Sequence, residues 1–230
     1  MVMNMREELG TWYPVLGKLF HDANGTRLGT RLGVDEHRLE PKLPNVFRAL
    51  REVAPKETRV VIIGQDPYPG GHADGLAFSS GIPHIPYSLQ MIFKSLSQMA
   101  ITRTRGDLED WAKQGVLLLN RCLSTVYGQV DAHREAGWDR ITDKILTELY
   151  NLFSTGDCKD QPLVIIAWGQ AAQYAAQYAG LGRSADNILY LKGYHPASTR
   201  RGFIFRGGEH LFTANQFLEE HGAKPIKWGD

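Results

Sequence analysis

Three polar side chains in this chain follow short apolar runs closely enough to do chemistry together. Asp66 comes just after Val60–Ile63 and its Gly64, Asn120 ends the run that starts at Val116, and His195 follows Ile188–Leu191 through Lys192-Gly193-Tyr194. A carboxylate can steady positive charge or draw a proton from water, and an imidazole can donate or accept near neutral pH. A carboxamide offers one donor face and one acceptor face. If the three runs are neighbouring strands, their tips meet where open α/β sheets bind ligands, and one concave site would collect all three groups. Gln170, after the run Leu163–Trp168, is set aside, because polar residues follow strands into loops as a matter of course.

The stretch after the first run is built to hold its carboxylate still. Pro67 and Pro69 stiffen the turn and remove amide donors, and Gly70, Gly71 and Gly75 let the backbone pass close to whatever occupies it.

The elements that must position these groups are legible as alternating patterns. Residues 1–58 read as a helical packing segment, with Trp12, Leu16, Leu19 and Phe20 at helical spacing, a turn at Asn24-Gly25, and a short helix Asn45–Val53 stopped by Pro55. Gly81–Leu89 reads as a rigid loop and a helix follows with Ser88 at its mouth, its apolar face Leu89, Ile92, Phe93 and Leu96. Further helices are expected over Asp107–Lys113, Gly137–Phe153, Ala171–Gly180 and from Leu211 onward, with Arg121–Val130 as an extended connection. Four buried runs separated by helices predict an α/β fold: a single-domain three-layer α/β/α sandwich over residues 1–230, with a central, mostly parallel four-stranded sheet.

Composition bounds the rest. The 230 residues are 43% hydrophobic and 22% charged, ordinary for a soluble domain, and the formal net charge of +1 means any basic footprint is local. Two cysteines, Cys122 and Cys158, are too few for a disulfide framework or a four-thiolate cluster, and Cys122 reads as a small core residue. The eight histidines show no metal-ligand spacing, so neither metal nor cofactor is expected. No stretch approaches membrane length and the N-terminus lacks an apolar signal core, so the expected location is cytoplasmic or nuclear, without secretion or membrane contact.

The focal segment, GQDPYPGGHADGLAFSS at 64–80, resembles the water-activating loop of uracil-DNA glycosylases, usually GQDPYHG followed by Gly-Leu-x-Phe-Ser. VLLLN at 116–120 is similar to that family's Leu-Leu-Leu-Asn strand, and GYHPAS at 193–198 resembles its His-Pro motif, closest in wording to the poxviral branch. GWDRITDKI at 137–145, AWGQAAQ at 167–173, Arg201-Gly202-Phe203 and Ile226-x-Trp228 extend the likeness over roughly residues 40–228 in the same order.

That resemblance implies base flipping into a pocket and hydrolysis of the N-glycosidic bond of uracil in DNA, to leave an abasic site. It makes Asp66 and His195 catalytic: the first steadies an oxocarbenium-like sugar and orients water, the second hydrogen-bonds uracil O2. Gln65 (through its amide), Tyr68, Phe78 and Asn120 would bind the base, with Phe78 stacking, Asn120 reading O4 and N3–H, and Tyr68 excluding a thymine methyl. Ser88, Ser198, Thr199, Arg200 and Arg201, with Lys192 and Arg206, are the candidates for DNA phosphates. His72, His84 and His133 are read as surface or structural. The implied partner is uracil-containing DNA, single- or double-stranded, met by a monomer, with a proteinaceous glycosylase inhibitor or a replication subunit as further partners.

The chain departs from the family at three points. Pro69 replaces a histidine, Gln170 stands where a phosphate-binding serine is usual, and HPASTRRGF lacks the leucine that wedges into the duplex, leaving Thr199 or Arg200 to fill the gap. Weaker flipping from duplex and a relative preference for single strands are expected. A DNA-binding processivity subunit on the same fold is the competing reading. Retention of Asp66, Tyr68, Phe78, Asn120 and His195 argues against it, since a pure scaffold needs none of them. A nucleotide-binding α/β module is disfavoured by the lack of a phosphate-loop or dinucleotide fingerprint.

Overall fold

The computed structural model describes residues 4–21 and 36–230. Its strands are β1 (Leu39–Glu40), β2 (Val60–Gly64), β3 (Val116–Asn120), β4 (Thr125–Val126), β5 (Leu163–Trp168) and β6 (Ile188–Gly193). Its α-helices are α1 (Met5–Leu9), α2 (Tyr13–His21), α3 (Arg48–Glu52), α4 (Tyr87–Ser97), α5 (Glu109–Ala112), α6 (Trp138–Ser154), α7 (Gln170–Tyr178) and α8 (Gly207–Glu220).

The four apolar runs are β2, β3, β5 and β6. They lie parallel in the order β3-β2-β5-β6, flanked by helices. Every residue of β2, β3 and β5 is buried, as strands covered on both faces must be, and burial falls away along the edge strand β6 after Ile188. Register aligns the tips: Gly64 pairs with Asn120 across β2 and β3, and Trp168 with Gly193 across β5 and β6. The polar residues that follow these strands therefore start from one edge of the sheet.

The helical periodicities hold where burial is greatest. On α6, Trp138, Ile141, Ile145, Leu149 and Phe153 are all buried, and Trp12 and Leu16 are fully buried. The side chains of Leu19 and Phe20, and the Asn24-Gly25 turn, lie outside the described residues. At the chain's end Trp228 packs edge-on against Trp111 with ring centroids 4.9 Å apart, and each indole donates to a backbone carbonyl, Trp111 to Trp228 and Trp228 to Leu211.

Four local expectations are corrected. The segment around Leu39 and the connection after Asn120 hold a second, antiparallel sheet, with Leu39 opposite Val126 and Glu40 opposite Thr125. Strands of two residues show no period for a sequence to display. Asn45–Val53 divides into a 3₁₀ turn, Leu43–Asn45, and α3. The helix α4 is entered through Pro86, whose ring fixes the approach to the first turn, so Ser88 lies inside that turn and is buried rather than capping it. Finally, α8 begins at Gly207, four residues before Leu211, because Ser95 Oγ of α4 accepts the Gly208 amide at 2.6 Å. That partner is remote in sequence and invisible to a local pattern.

Ile62 is fully buried at the centre of the central strand β2. Ile62→Ala is expected to lower unfolding free energy by about 2–5 kcal/mol, measured by urea denaturation with the slope unchanged.

Candidate active site

Asp66 leaves β2 two residues after Gly64 and is held by a single loop. Its Oδ2 accepts the Asp131 amide at 2.9 Å, and Asp131 Oδ2 in turn accepts Gln65 Nε2 at 2.9 Å. Asp131 adopts φ 57°, a left-handed conformation unusual for a residue with a side chain, and this turns its amide onto the carboxylate. Among the described residues no lysine, arginine or histidine pairs with Asp66. Burial consequently dominates and raises its pKa to about 6; the Asp131 amide opposes the rise and the Asp131 charge adds to it.

Asn120 is 7% exposed, and its carboxamide makes no hydrogen bond to any described residue while its polar atoms keep solvent contact. A glycine at 64 is what leaves room for it. A Cβ there would stand 2.1 Å from Asn120 Oδ1. The Ala77 amide donates to Leu118 C=O at 3.0 Å, which lays the segment bearing Phe78 alongside β3.

Phe78 is a second side chain forced to positive φ, at 65°, and it is buried. Two fastenings impose that strain. Tyr68 Oη donates to the Phe78 carbonyl at 3.2 Å, and Asp74, buried two turns away, accepts Ser79 Oγ at 2.6 Å, the Leu76 amide at 3.1 Å and an ion pair from Arg48 at 3.0 Å. Asp74 carried no signal in the sequence, where the glycines alone marked this loop. Burial also pushes the Tyr68 phenol pKa up, so the group stays a neutral donor.

His195 Nδ1 accepts the Ala197 amide at 3.1 Å, which leaves the ring proton on Nε2. Burial lowers the pKa, so the imidazole is neutral at physiological pH and offers an Nε2–H donor. Its ring centroid is 5.8 Å from Phe78, which meets Trp168 edge-on at 5.7 Å. Gly169, at φ 94°, leaves space for the histidine, because a Cβ there would lie 3.0 Å from His195 Cβ.

A cleft of about 1060 Å³ runs along this edge of the sheet, walled by Gln65, Asp131, Trp168, Gln170, His195, Ser198 and Arg201 among others. Asp66, Tyr68, Phe78 and Asn120 are not on its wall. Asp66 and Phe78 are one contact removed, Asp66 through Asp131 and Phe78 through His195 and Trp168; Tyr68 is reached only through Phe78, and Asn120 pairs with Gly64, the residue before Gln65. A second cavity, of about 690 Å³, opens among Glu57, Arg59, Gly115 and Gln161, which precede the strands, and holds none of the predicted residues.

The DNA-contact candidates divide. Ser198 and Arg201 face the cleft, and Arg201 is exposed with no ion pair among the described residues. Thr199 Oγ1 bonds Tyr87 Oη at 2.9 Å, and the Arg200 guanidinium lies 4.0 Å from the Tyr87 ring centroid. Both therefore fasten the Pro196–Arg201 turn to α4. Of the histidines set aside, His133 is buried with Nδ1 2.9 Å from Ser124 Oγ, while His72 and His84 stack at 4.8 Å. Sequence reasoning missed Asp131 and Trp168 and set aside Gln170, which lines the cleft.

The chain is an α/β sheet that carries at one edge a carboxylate, a carboxamide and, beside an aromatic ring, a neutral imidazole donor, and such an edge is where α/β enzymes bind their ligands. The pattern of the Uracil DNA glycosylase superfamily matches residues 51–219. A uracil-DNA glycosylase from Escherichia coli is 41% identical over 194 residues, covering 82% of this chain and 80% of its own length. One from a Ruegeria species is 34% identical over 233 residues, covering 98% of this chain and 92% of its own. The crystal structure of mimivirus uracil-DNA glycosylase superposes with a TM-score of 0.82 at 21% identity, covering 99% of this chain and 90% of its own. The chain belongs to the uracil-DNA glycosylase superfamily.

Two outcomes test the electrostatics. Because the folded pKa of Asp66, about 6, lies above its ordinary value of 3.8, stability contributed by the protonated acid is full below pH 3.8 and is lost as pH rises toward 6. Asp66→Asn removes that loss, so at pH 7 the variant should unfold about 2 kcal/mol later than the parent by urea titration, with the advantage gone at pH 3.5. Asp131→Asn keeps an acceptor for Gln65 and deletes the neighbouring charge, so Asp66 should titrate lower than in the parent, read by ¹³C carboxyl NMR.

Proposed function

We propose that this protein hydrolyses the N-glycosidic bond of uracil in DNA by drawing the nucleotide out of the stack, and so initiates base excision repair. The observation that carries the reading is that one edge of the sheet bears both an ionisable carboxylate with no counter-cation among the described residues and a neutral imidazole donor beside an aromatic ring. Breaking the bond leaves positive charge on the sugar and negative charge on the uracil. Asp66, ionised above about pH 6, stabilises the first and orients the attacking water; His195 Nε2–H donates to uracil O2 and stabilises the second. The leaving anion is delocalised and needs no full protonation, so one carboxylate suffices where ordinary glycosidases use two.

Base choice follows from the same neighbourhood. Phe78 stacks on any flat base, whereas Asn120, with both faces of its amide unspent, pairs with O4 and N3–H and leaves cytosine with an unmet donor. Tyr68 stands where a thymine methyl would fall. Gln65 presents its amide to the base, and Ser88, Ser198, Thr199, Arg200 and Arg201 carry the phosphates, Ser88 only at the backbone-lined mouth of α4 because its side chain is buried.

Two finer features belong to this reading. The loop Gly193–Ser198 has the wording of the poxviral branch, although the curated relatives compared above are bacterial. Mimivirus variants have been crystallised in complex with UGI, which supports a proteinaceous inhibitor as a partner for the same cleft. A DNA substrate also argues for work in the cytoplasm or nucleus.

The test is a uracil-containing oligonucleotide treated with the protein and then with alkali, which converts abasic sites to strand breaks. Breaks at uracil are expected, Asp66→Asn should lose about 10²–10⁴-fold in rate, and Tyr68→Ala should begin to break thymine-containing strands. An intact strand after wild-type treatment, or wild-type rates from Asp66→Asn, overturns the proposal.

A further inference from the structure

The chain has no leucine to wedge into DNA, and the two residues that could replace one are engaged elsewhere. Thr199 and Arg200 both turn onto Tyr87. The same turn instead presents two aromatic rings on the cleft wall. Tyr194, 54% exposed, follows the last residue of β6, and Phe203, 44% exposed, follows Gly202, where the chain doubles back with the Phe203 amide reaching Ser198 C=O. Their centroids are 4.5 Å apart at an interplanar angle of 33°. Exposed aromatic rings in contact, at the lip of a pocket, leave apolar face open to solvent that a passing base could cover.

We infer that the Tyr194–Phe203 pair is a stacking platform for the base next to the extruded uracil, fitted to a single-stranded or locally unpaired strand. The inference rests on the uracil-DNA reading above. Three features commit the surface to nucleic acid. It is continuous with the cleft that holds His195. Arg201, exposed and with no ion pair to any described residue, stands on the same wall to meet the phosphate of the stacked nucleotide. The platform also sits on the turn anchored by Thr199 and Arg200 to α4, so it is held rigidly rather than offered by a loose loop. Stacking onto a fixed ring replaces the contact that the neighbouring base loses when the uracil leaves the stack. In a duplex that neighbour is already stacked and paired, so the platform favours single strands.

The experiment uses oligonucleotides with 2-aminopurine on either side of a uracil, single-stranded and duplex. Fluorescence reports binding to a 2′-fluorinated, cleavage-resistant uridine, and steady-state kinetics are measured on the ordinary substrate. Wild-type protein should quench the probe on one side of the uracil. Tyr194→Ala and Phe203→Ala should abolish that quench and raise KM on single strands about 5- to 100-fold with kcat within about twofold, while Tyr194→Phe and Phe203→Tyr restore both. A quench that survives in the alanine variants, no quench on either side, or a fall in kcat with KM unchanged overturns the platform. Wild-type protein that quenches the probe yet releases no uracil would overturn the functional reading and leave the platform standing.

Discussion

The site depends on a carboxylate stripped of part of its water and given no cation in return. Asp66 accepts the Asp131 amide, and the charge of Asp131 beside it carries the same sign. An arrangement that pairs it with a lysine or arginine would be more stable and would spend its potential in the ground state. On the reading proposed above, leaving it unpaired reserves that potential for positive charge that appears only as the glycosidic bond stretches. Burial shifts the two titrating groups in opposite directions: it lifts the acid and lowers the base, so that near neutral pH Asp66 is anionic and His195 uncharged.

Such a group persists only because the surrounding structure is rigid. The strands β2 and β3 end level, with Gly64 opposite Asn120, and Arg121 and Cys122 continue the pairing past the strand ends by donating to the carbonyls of Gly64 and Gln65. Two residues with side chains, Phe78 and Asp131, are held at positive φ, each at a cost on the order of 1–3 kcal/mol. Both are locked by hydrogen bonds, from Tyr68 Oη to the Phe78 carbonyl and from Gln65 Nε2 to the Asp131 carboxylate. Strain of this kind concentrates where geometry matters more than stability.

The sheet was legible because its strands are covered on both faces and so read as unbroken apolar runs; the helix α6 was legible because five apolar residues repeat at its period. What the sequence hid has one physical character. Asp131, Asp74 and the two-residue strands β1 and β4 act through contacts with residues distant in the chain, Gln65 for Asp131, Arg48 for Asp74 and β4 for β1, and no period or local composition announces such a contact. Asp66, Asn120 and His195 could be placed together from strand order alone. That the first would be unpaired, the second free of hydrogen-bond partners among the described residues and the third backed by one amide could not, because the state of a polar group is set by what the rest of the fold withholds from it. The buried Ser88 makes the same point in reverse, since a serine near a helix start reads as a cap until a proline two residues earlier takes the cap position.

The turn after His195 shows how a short loop can alter the use of a site without touching its chemistry. His195 begins the Pro196–Arg201 turn and accepts its first amide, so the residue proposed to donate toward the leaving base also fixes the direction in which the turn departs. From there Thr199 and Arg200 lean onto α4 and the chain returns through Gly202, bringing Phe203 against Tyr194. A wedge must penetrate a stack and is useful only where there is a duplex to enter. A flat aromatic surface acts after the base has left, by giving its neighbour somewhere to rest. The two devices lower different parts of the same cost, and a loop too short to reach into the helix can still supply the second.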